Sequence, residues 1–173
     1  MMATVVNKLS EVSSKLAEYE AALGKITEKR ERWQSETKPL LFHTLKEIQQ
    51  LAPDDWIINV QDEIENLEEV ILKFRKVKSG IVVKHENETI SRMKFGGSLV
   101  FDQEYNGDIC VYISYPHVEE SVDHQPQKKL DRVSPDRITE EYITTQVVRL
   151  LDEMIRWENS NSKITIGFKW DGG

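Results

Sequence analysis

The sequence predicts an α+β fold: a long coiled-coil-type N-terminal helix and a second, shorter helix, an antiparallel β-meander of about four to five strands, one C-terminal amphipathic helix packed on it, and a final strand. Three observations predict it. Leu9, Val12, Leu16, Tyr19, Leu23, Ile26, Arg30 and Trp33 follow each other at strict three-four spacing. Two alternating segments flank Asn106-Gly107. Ile143, Val147, Leu150, Leu151 and Met154 recur at helical spacing before an alternating run at Ile164, Ile166, Phe168 and Trp170. The chain divides on this reading into a helical region, residues 1–53, and an α+β domain, residues 54–173.

The N-terminal spacing is the a/d seam of a coiled coil, with Leu9, Leu16 and Leu23 at a and Val12, Tyr19, Ile26 and Trp33 at d. Ala17, Ala21 and Ala22 favour helix, and Gly24 lies off the seam. A helix from residue 5 to residue 36 is about 48 Å long at 1.5 Å per residue, whereas a compact domain of the remaining chain is about 35 Å across. Part of the seam therefore overhangs its own domain. That favours a partner helix, in a homo-oligomer or with another coiled-coil subunit, over folding back on the second helix. Only Lys15 and Glu20 make a favourable charge pair between flanking positions, so the seam specifies its partner weakly. Leu9, Val12, Leu16, Tyr19, Leu23, Ile26 and Trp33 are the predicted interaction residues.

Pro39 predicts a break between the first helix and a second that starts with Thr37 or Lys38 as its cap and Pro39 in its first turn, carries Leu41, Leu45 and Ile48 and ends near Ala52-Pro53, because a proline inside a helix loses its bond to the carbonyl four residues back and clashes with it. Residues 54–66 are ambiguous, since Trp56, Ile57 and Ile58 look like a short strand while Val60, Ile64, Leu67, Ile71 and Phe74 fit a helical face; alternation from Val70 to Val77 and the β-rich Ile81-Val82-Val83 after the Ser79-Gly80 turn favour strands there. Asn106-Gly107 marks a hairpin between 98–105 and 108–115. A two-residue loop would set Asp102 opposite Val111 and mix charge with apolar side chains. A three-residue loop with Gly107 as a bulge sets Leu99, Phe101 and Gln103 opposite Ile113, Val111 and Ile109 and makes one face apolar, so the bulged register is expected. Tyr115-Pro116 is expected to end that strand, with residues 117–136 as a polar loop and a helix starting near Ser134-Pro135 or Thr139.

A net charge of −7 repels phosphate backbones, so nucleic acid is not an expected partner, and the basic positions Lys73, Arg75, Lys76, Lys78 and Lys84 read as the solvated face of strands. A single cysteine, Cys110, allows no intrachain disulfide and suggests a reducing, cytoplasmic setting. No leader and no membrane span is legible.

Chemistry is thinly signalled. His117, Glu119, Glu120, Asp123 and His124 are metal-ligand types within one short segment, at a spacing that matches no familiar metal motif. Asp102, Glu104 and Asp108 gather near the hairpin tip, and a small metal- or ligand-dependent enzyme using residues 102–124 is the main alternative to an interaction role. No cofactor motif is present: Phe95-Gly96-Gly97-Ser98 lacks the lysine of a phosphate loop and leads into a strand. The reading favoured is a non-enzymatic protein–protein interaction or assembly subunit.

Two resemblances add to it. The closing Gly172-Gly173 resembles the terminus of ubiquitin-like modifiers and sulfur carriers, which implies conjugation or carriage through a threaded carboxyl end. A long helix, a meander, Tyr115-Pro116 and a following helix are similar in layout to the RWD domains of coiled-coil scaffold proteins, with the strand at 163–170 as an addition to that plan. That likeness implies a protein-docking role.

Overall fold

A computed structural model describes residues 2–122, 126–160 and 164–167, with side chains from Asn7 onward. The architecture is α+β. Helix α1, Met2–Arg32, passes through a π-helical turn, Trp33–Thr37, directly into α2, Lys38–Gln49. Strands β1 (Trp56–Gln61), β2 (Glu69–Phe74), β3 (Val77–His85), β4 (Glu88–Gln103), β5 (Ile109–Val118) and β6 (Gln127–Val133) follow, then a 3₁₀ turn at Pro135–Arg137 and helix α3, Glu140–Ser160. All strand pairings among the described strands are antiparallel, in the order β1-β2-β4-β5-β6, with β3 paired to the N-terminal half of the long β4.

The predicted break at Pro39 does not occur, and the first two helices do not fold back on each other. The chain stays helical through the π turn, in which the Lys38 N–H donates to the Trp33 carbonyl, five residues back. Widening the turn by one residue lets Pro39 sit in the first turn of α2, where its missing N–H costs little. It also sets Trp33 and Lys38 one above the other on the side that faces the sheet, as their shared partner below shows.

The hairpin adopts the bulged register. Leu99, Phe101 and Gln103 stand opposite Ile113, Val111 and Ile109. Gly107, at φ +81°, closes the turn by donating its N–H to the Glu104 carbonyl at 2.8 Å. The apolar row packs with Val70 and Leu72 of β2, Leu41 and Leu45 of α2, and Ile143, Val147, Leu150 and Met154 of α3 in one core. Both helices cover that face of the sheet.

Two expectations for the second half are corrected. Tyr115-Pro116 does not end β5: Pro116 is paired with Gly96, and the strand runs on to Val118. Gly96 and Gly97 both have positive φ, 80° and 77°. They bend β4 where the proline packs, and a Cβ on Gly97 would come within 3.3 Å of the proline ring, so the ring sits at an irregular point of the ladder that tolerates it. Nor is 117–136 a loop throughout, since Gln127–Val133 forms β6 against Ile109–Ser114. Its Lys128, Lys129, Asp131 and Arg132 hid the strand because an edge strand with a wet outer face carries such residues. Of the predicted final strand, residues 164–167 are described. They make one isolated bridge, Ile166 to Ser121; Lys163 and residues 168–170 lie outside the described residues, as does Gly172-Gly173.

Candidate functional site

From Asn7 to Lys25 every residue of α1 is exposed, about 28 Å of helix that projects from the domain. Its three-four stripe is apolar and bare: Leu9 is 64% exposed, Val12 54%, Leu16 58%, Tyr19 62% and Leu23 44%. On this stretch Lys15 Nζ donates to Glu18 Oε2 at 2.7 Å, a contact within the helix. Ala17, Ala21 and Ala22 supply helix propensity, yet an overhang of this length is marginal in water without packing on its apolar stripe.

The stripe does not stop at Leu23; it changes partner. Ile26 is half-buried beside the hairpin tip. There Lys29 Nζ donates to Asp108 Oδ1 at 2.6 Å, and Arg30 Nη2 donates to the Tyr105 carbonyl at 2.6 Å while its guanidinium lies 5.0 Å from the Tyr105 ring centre. A Cβ on Gly107 would stand 2.6 Å from Lys29 Cβ, so the tip approaches the helix as closely as a glycine permits. Trp33, predicted as an interaction residue, is fully buried in the chain's own core and is not available to a partner.

Trp33 is held by Glu68, a carboxylate in the loop before β2 that is only 3% exposed. Glu68 accepts hydrogen bonds from Trp33 Nε1 at 2.9 Å, Gln34 Nε2 at 2.7 Å and Lys38 Nζ at 2.9 Å. Burial pushes its pKa up, but the hydrogen bonds from Lys38, Trp33 and Gln34 outweigh burial and hold it below the usual carboxylate value. Burial likewise opposes the charge on Lys38, and its bonds to Glu68 and Asp62 outweigh that, raising its pKa. This clamp fixes the direction in which α1 leaves the domain. Nothing in the local sequence around Glu68 signals it, because its three donors, Trp33, Gln34 and Lys38, lie thirty or more residues earlier.

The candidate chemical residues do not converge. Asp102, on the sheet face away from the core helices, pairs with Glu69 and Cys110 in register. Burial, then the charges of Glu69 and Glu104, push its pKa up to about 6. Glu104 is taken by Arg132, and Asp108 by Lys29. His117 stands about 23 Å further along β5 at 3.3 Å per residue, where its Nδ1 is 3.2 Å from Ser121 Oγ and its ring lies edge-on to Phe95. Glu119 Oε2 accepts the Met93 N–H at 3.2 Å, and Glu120 pairs with Arg92 at 2.5 Å. Asp123 and His124 lie outside the described residues. Among the described residues no group of three potential metal ligands comes together. Burial raises the pKa of the Cys110 thiol, which works against a reactive thiolate.

Two further features were not legible in the sequence. Glu153 of α3, 6% exposed, accepts hydrogen bonds from Lys128 Nζ at 2.7 Å, Arg156 Nη1 at 2.5 Å and the Tyr115 hydroxyl, tying β5 and β6 to the helix. Burial and the bond to Glu153 push the Tyr115 hydroxyl up to about 12. Beyond it, at the end of the sheet away from α1, Trp56, Phe74, Val77, Leu151, Met154 and Ile155 line an open groove of about 580 Å³. Its rim charges cancel, with Lys94 bound to Glu158.

No helix among the described residues is long and apolar enough to cross a membrane. Compared with known protein families, with curated proteins and with solved structures, the chain matches none.

Proposed function

We propose that this protein is a non-enzymatic assembly subunit whose projecting α1 helix joins it to a second copy through Leu9, Val12, Leu16, Tyr19 and Leu23. The observation that carries the reading is the row of five large apolar side chains, each 44–64% exposed, on a helix clamped at one end and covered by nothing among the described residues. A row of this kind costs solubility unless it is covered. Covering one half-exposed side chain of this size stabilises by about 1 kcal/mol. A two-fold pair covers each of the five twice, on the order of 10 kcal/mol, which is comparable to the cost of association. The assembly is therefore concentration-dependent. A helix from a different subunit is the second reading, supported by the sparse charge pairing along the seam, which does little to select a self-partner.

Sedimentation of the full chain over a concentration series tests it. A reversible rise from monomer mass is expected, together with a monomer at all concentrations for the Leu16→Glu, Leu23→Glu double variant and an unchanged thermal midpoint for the domain. A full chain that stays monomeric, or a double variant that still associates, contradicts the proposal.

A further inference from the structure

We infer that residues 168–171 of this chain form a strand on a bare edge of β4, antiparallel to it, with Lys169 against Ser91 and Asp171 against Thr89; this is independent of the α1 seam. The edge is defined by where β5 stops. β4 begins at Glu88, but its ladder to β5 begins only at Lys94, opposite Val118, and the Glu119 N–H donating to the Met93 carbonyl at 2.8 Å is its outermost backbone bond. The chain then turns back, the Ser121 N–H donating to the Val118 carbonyl at 3.0 Å. Among the described residues no strand lies beside residues 88–92 on that side, while β3 occupies the other. Backbone groups of a strand point alternately to its two sides, so Ser91 and Thr89 present N–H and C=O to the same side as Met93. An open edge of this kind is a template for an extended chain.

Direction, burial and alternation choose the occupant. Residues 165–167 run antiparallel to 120–122: the Val122 N–H donates to the Thr165 carbonyl and the Gly167 N–H to the Glu120 carbonyl, both at 3.0 Å. The chain therefore leaves Gly167 toward the Glu119-Glu120 turn, in the sense opposite to β4. Three residues reach about 10 Å. That steps over the turn and sets Trp170 beside Ile90, which lies three residues, or about 10 Å, along β4 from Met93. Ile90 pairs with Val83 and shares its face with Arg92. A two-stranded ribbon leaves its faces wet, yet Val83 and Arg92 are each 9% exposed, Val83 stands outside the core cluster, and Arg92 Nε has no partner. Glu120 pairs with the far end of that guanidinium at 2.5 Å. Phe168 and Trp170 continue the alternation of Ile164 and Ile166. In the stated register both fall on the face of Val83, Phe168 beside Arg92 and Trp170 beside Ile90, itself 37% exposed.

The other face agrees in charge. Asp171 falls in one row with Thr89 and the exposed Lys84, and opposite charges on one face of a sheet attract. A slip of one residue would turn Phe168 and Trp170 to the side of Ser91 and Thr89 and leave Ile90 bare, so burial selects the register. The open groove lined by Gly96 and Pro116 lies the other way along β4 from Met93, so it does not compete for this segment. A strand tethered through Gly167 also outcompetes one from a second molecule, because its effective concentration at the edge is high.

Amide exchange read residue by residue tests it. In the full chain the Ser91 and Thr89 amides, which point to the bare edge, are expected to exchange slowly and equally so at every protein concentration. Lys169→Pro removes a donor from the added strand and clashes with its pairing, so both amides are expected to exchange roughly tenfold faster. Lys169→Ala is expected to leave them slow, and the Ile90 amide, turned toward β3, is expected to stay unchanged throughout. A nuclear Overhauser contact between the Trp170 indole and the Val83 or Ile90 side chain is expected in the unsubstituted chain, and it decides alone should Lys169→Pro also free Ile90. Fast exchange at Ser91 and Thr89 in the full chain, or absence of that contact, overturns the proposal. Slow exchange that survives Lys169→Pro overturns it as well, since something else then covers the edge. Slow exchange that appears only as the chain is concentrated makes the occupant a second copy and overturns it too.

Discussion

Gln103 carries a full amide into the core: it is 1% exposed, and neither its Oε1 nor its Nε2 has a partner in the structure. Burying such a group unpaired costs about 1–3 kcal/mol, so Gln103→Leu is expected to raise stability by about 1 kcal/mol in denaturant unfolding; a loss would reveal a partner for the amide. Glu68 is the opposite case, a buried carboxylate with three donors, and Glu68→Ala is expected to cost about 2–3 kcal/mol by stripping Trp33, Gln34 and Lys38 of their acceptor. The same bonds make stability depend on pH. Glu68 and Glu153 both have folded pKa values below their ordinary 4.5, Glu153 mainly through its hydrogen bonds from Lys128 and Tyr115. Their contribution is present above pH 4.5 and is lost as the pH falls below it, because the unfolded carboxylates take up protons first. Asp102 works in the other sense: burial beside Glu69 and Glu104 raises it to about 6, so its protonation favours the folded state as pH falls from 6 toward 4. Unfolding free energy against pH is therefore expected to show a shallower acid limb in Glu68→Ala, with the share of Glu153 remaining, measurable by urea titration at pH 3.5, 5 and 7; an unchanged limb contradicts the clamp.

At the scale of elements, the junction between α1 and the hairpin tip decides whether α1 is a rod or a loose arm. Gly107 is the tightest point of it, with φ at +81° and no room for a Cβ beside Lys29. Gly107→Ala is expected to destabilise by about 1–2 kcal/mol and to speed amide exchange at Lys25–Arg32; unchanged exchange there would mean the tip does not hold the helix. This junction was half legible in the sequence. The bulged turn followed from asking which register makes Leu99, Phe101 and Gln103 face an apolar row, a constraint carried locally by alternation. That the tip would meet Lys29 and Arg30 was not legible, since no pattern in residues 25–33 encodes a partner over seventy residues away. The same limit explains the errors at Pro39 and Pro116. Each proline is a strong local breaker, and each is tolerated through its surroundings: a π turn whose Trp33 and Lys38 share Glu68, and a glycine pair across the strand. β6 was missed because its lysines and Arg132 mask its pairing with the middle of β5.

For the whole molecule, the seam of α1 has two lives on one stripe. Its C-terminal end, Ile26 to Trp33, belongs to the chain's own domain, and its N-terminal end, Leu9 to Leu23, stands in solvent with 44–64% of each large apolar side chain bare. The heptad spacing announced the stripe but could not say where it changes hands, because the a/d pattern is the same on both sides of Leu23. The enzyme alternative drew its residues from 102–124, and the described ones are spread over both ends of β5 and largely engaged in ion pairs. The assembly account makes the bare stretch the working surface, and it binds the stability of that stretch to protein concentration: an unsupported helix frays, a paired one does not. Amide hydrogen exchange across residues 9–23, followed as the chain is concentrated, measures this directly. The account predicts protection that rises with concentration over 9–23 while Trp33–Gln49 stays constant. Protection over 9–23 that is the same at every concentration would contradict it.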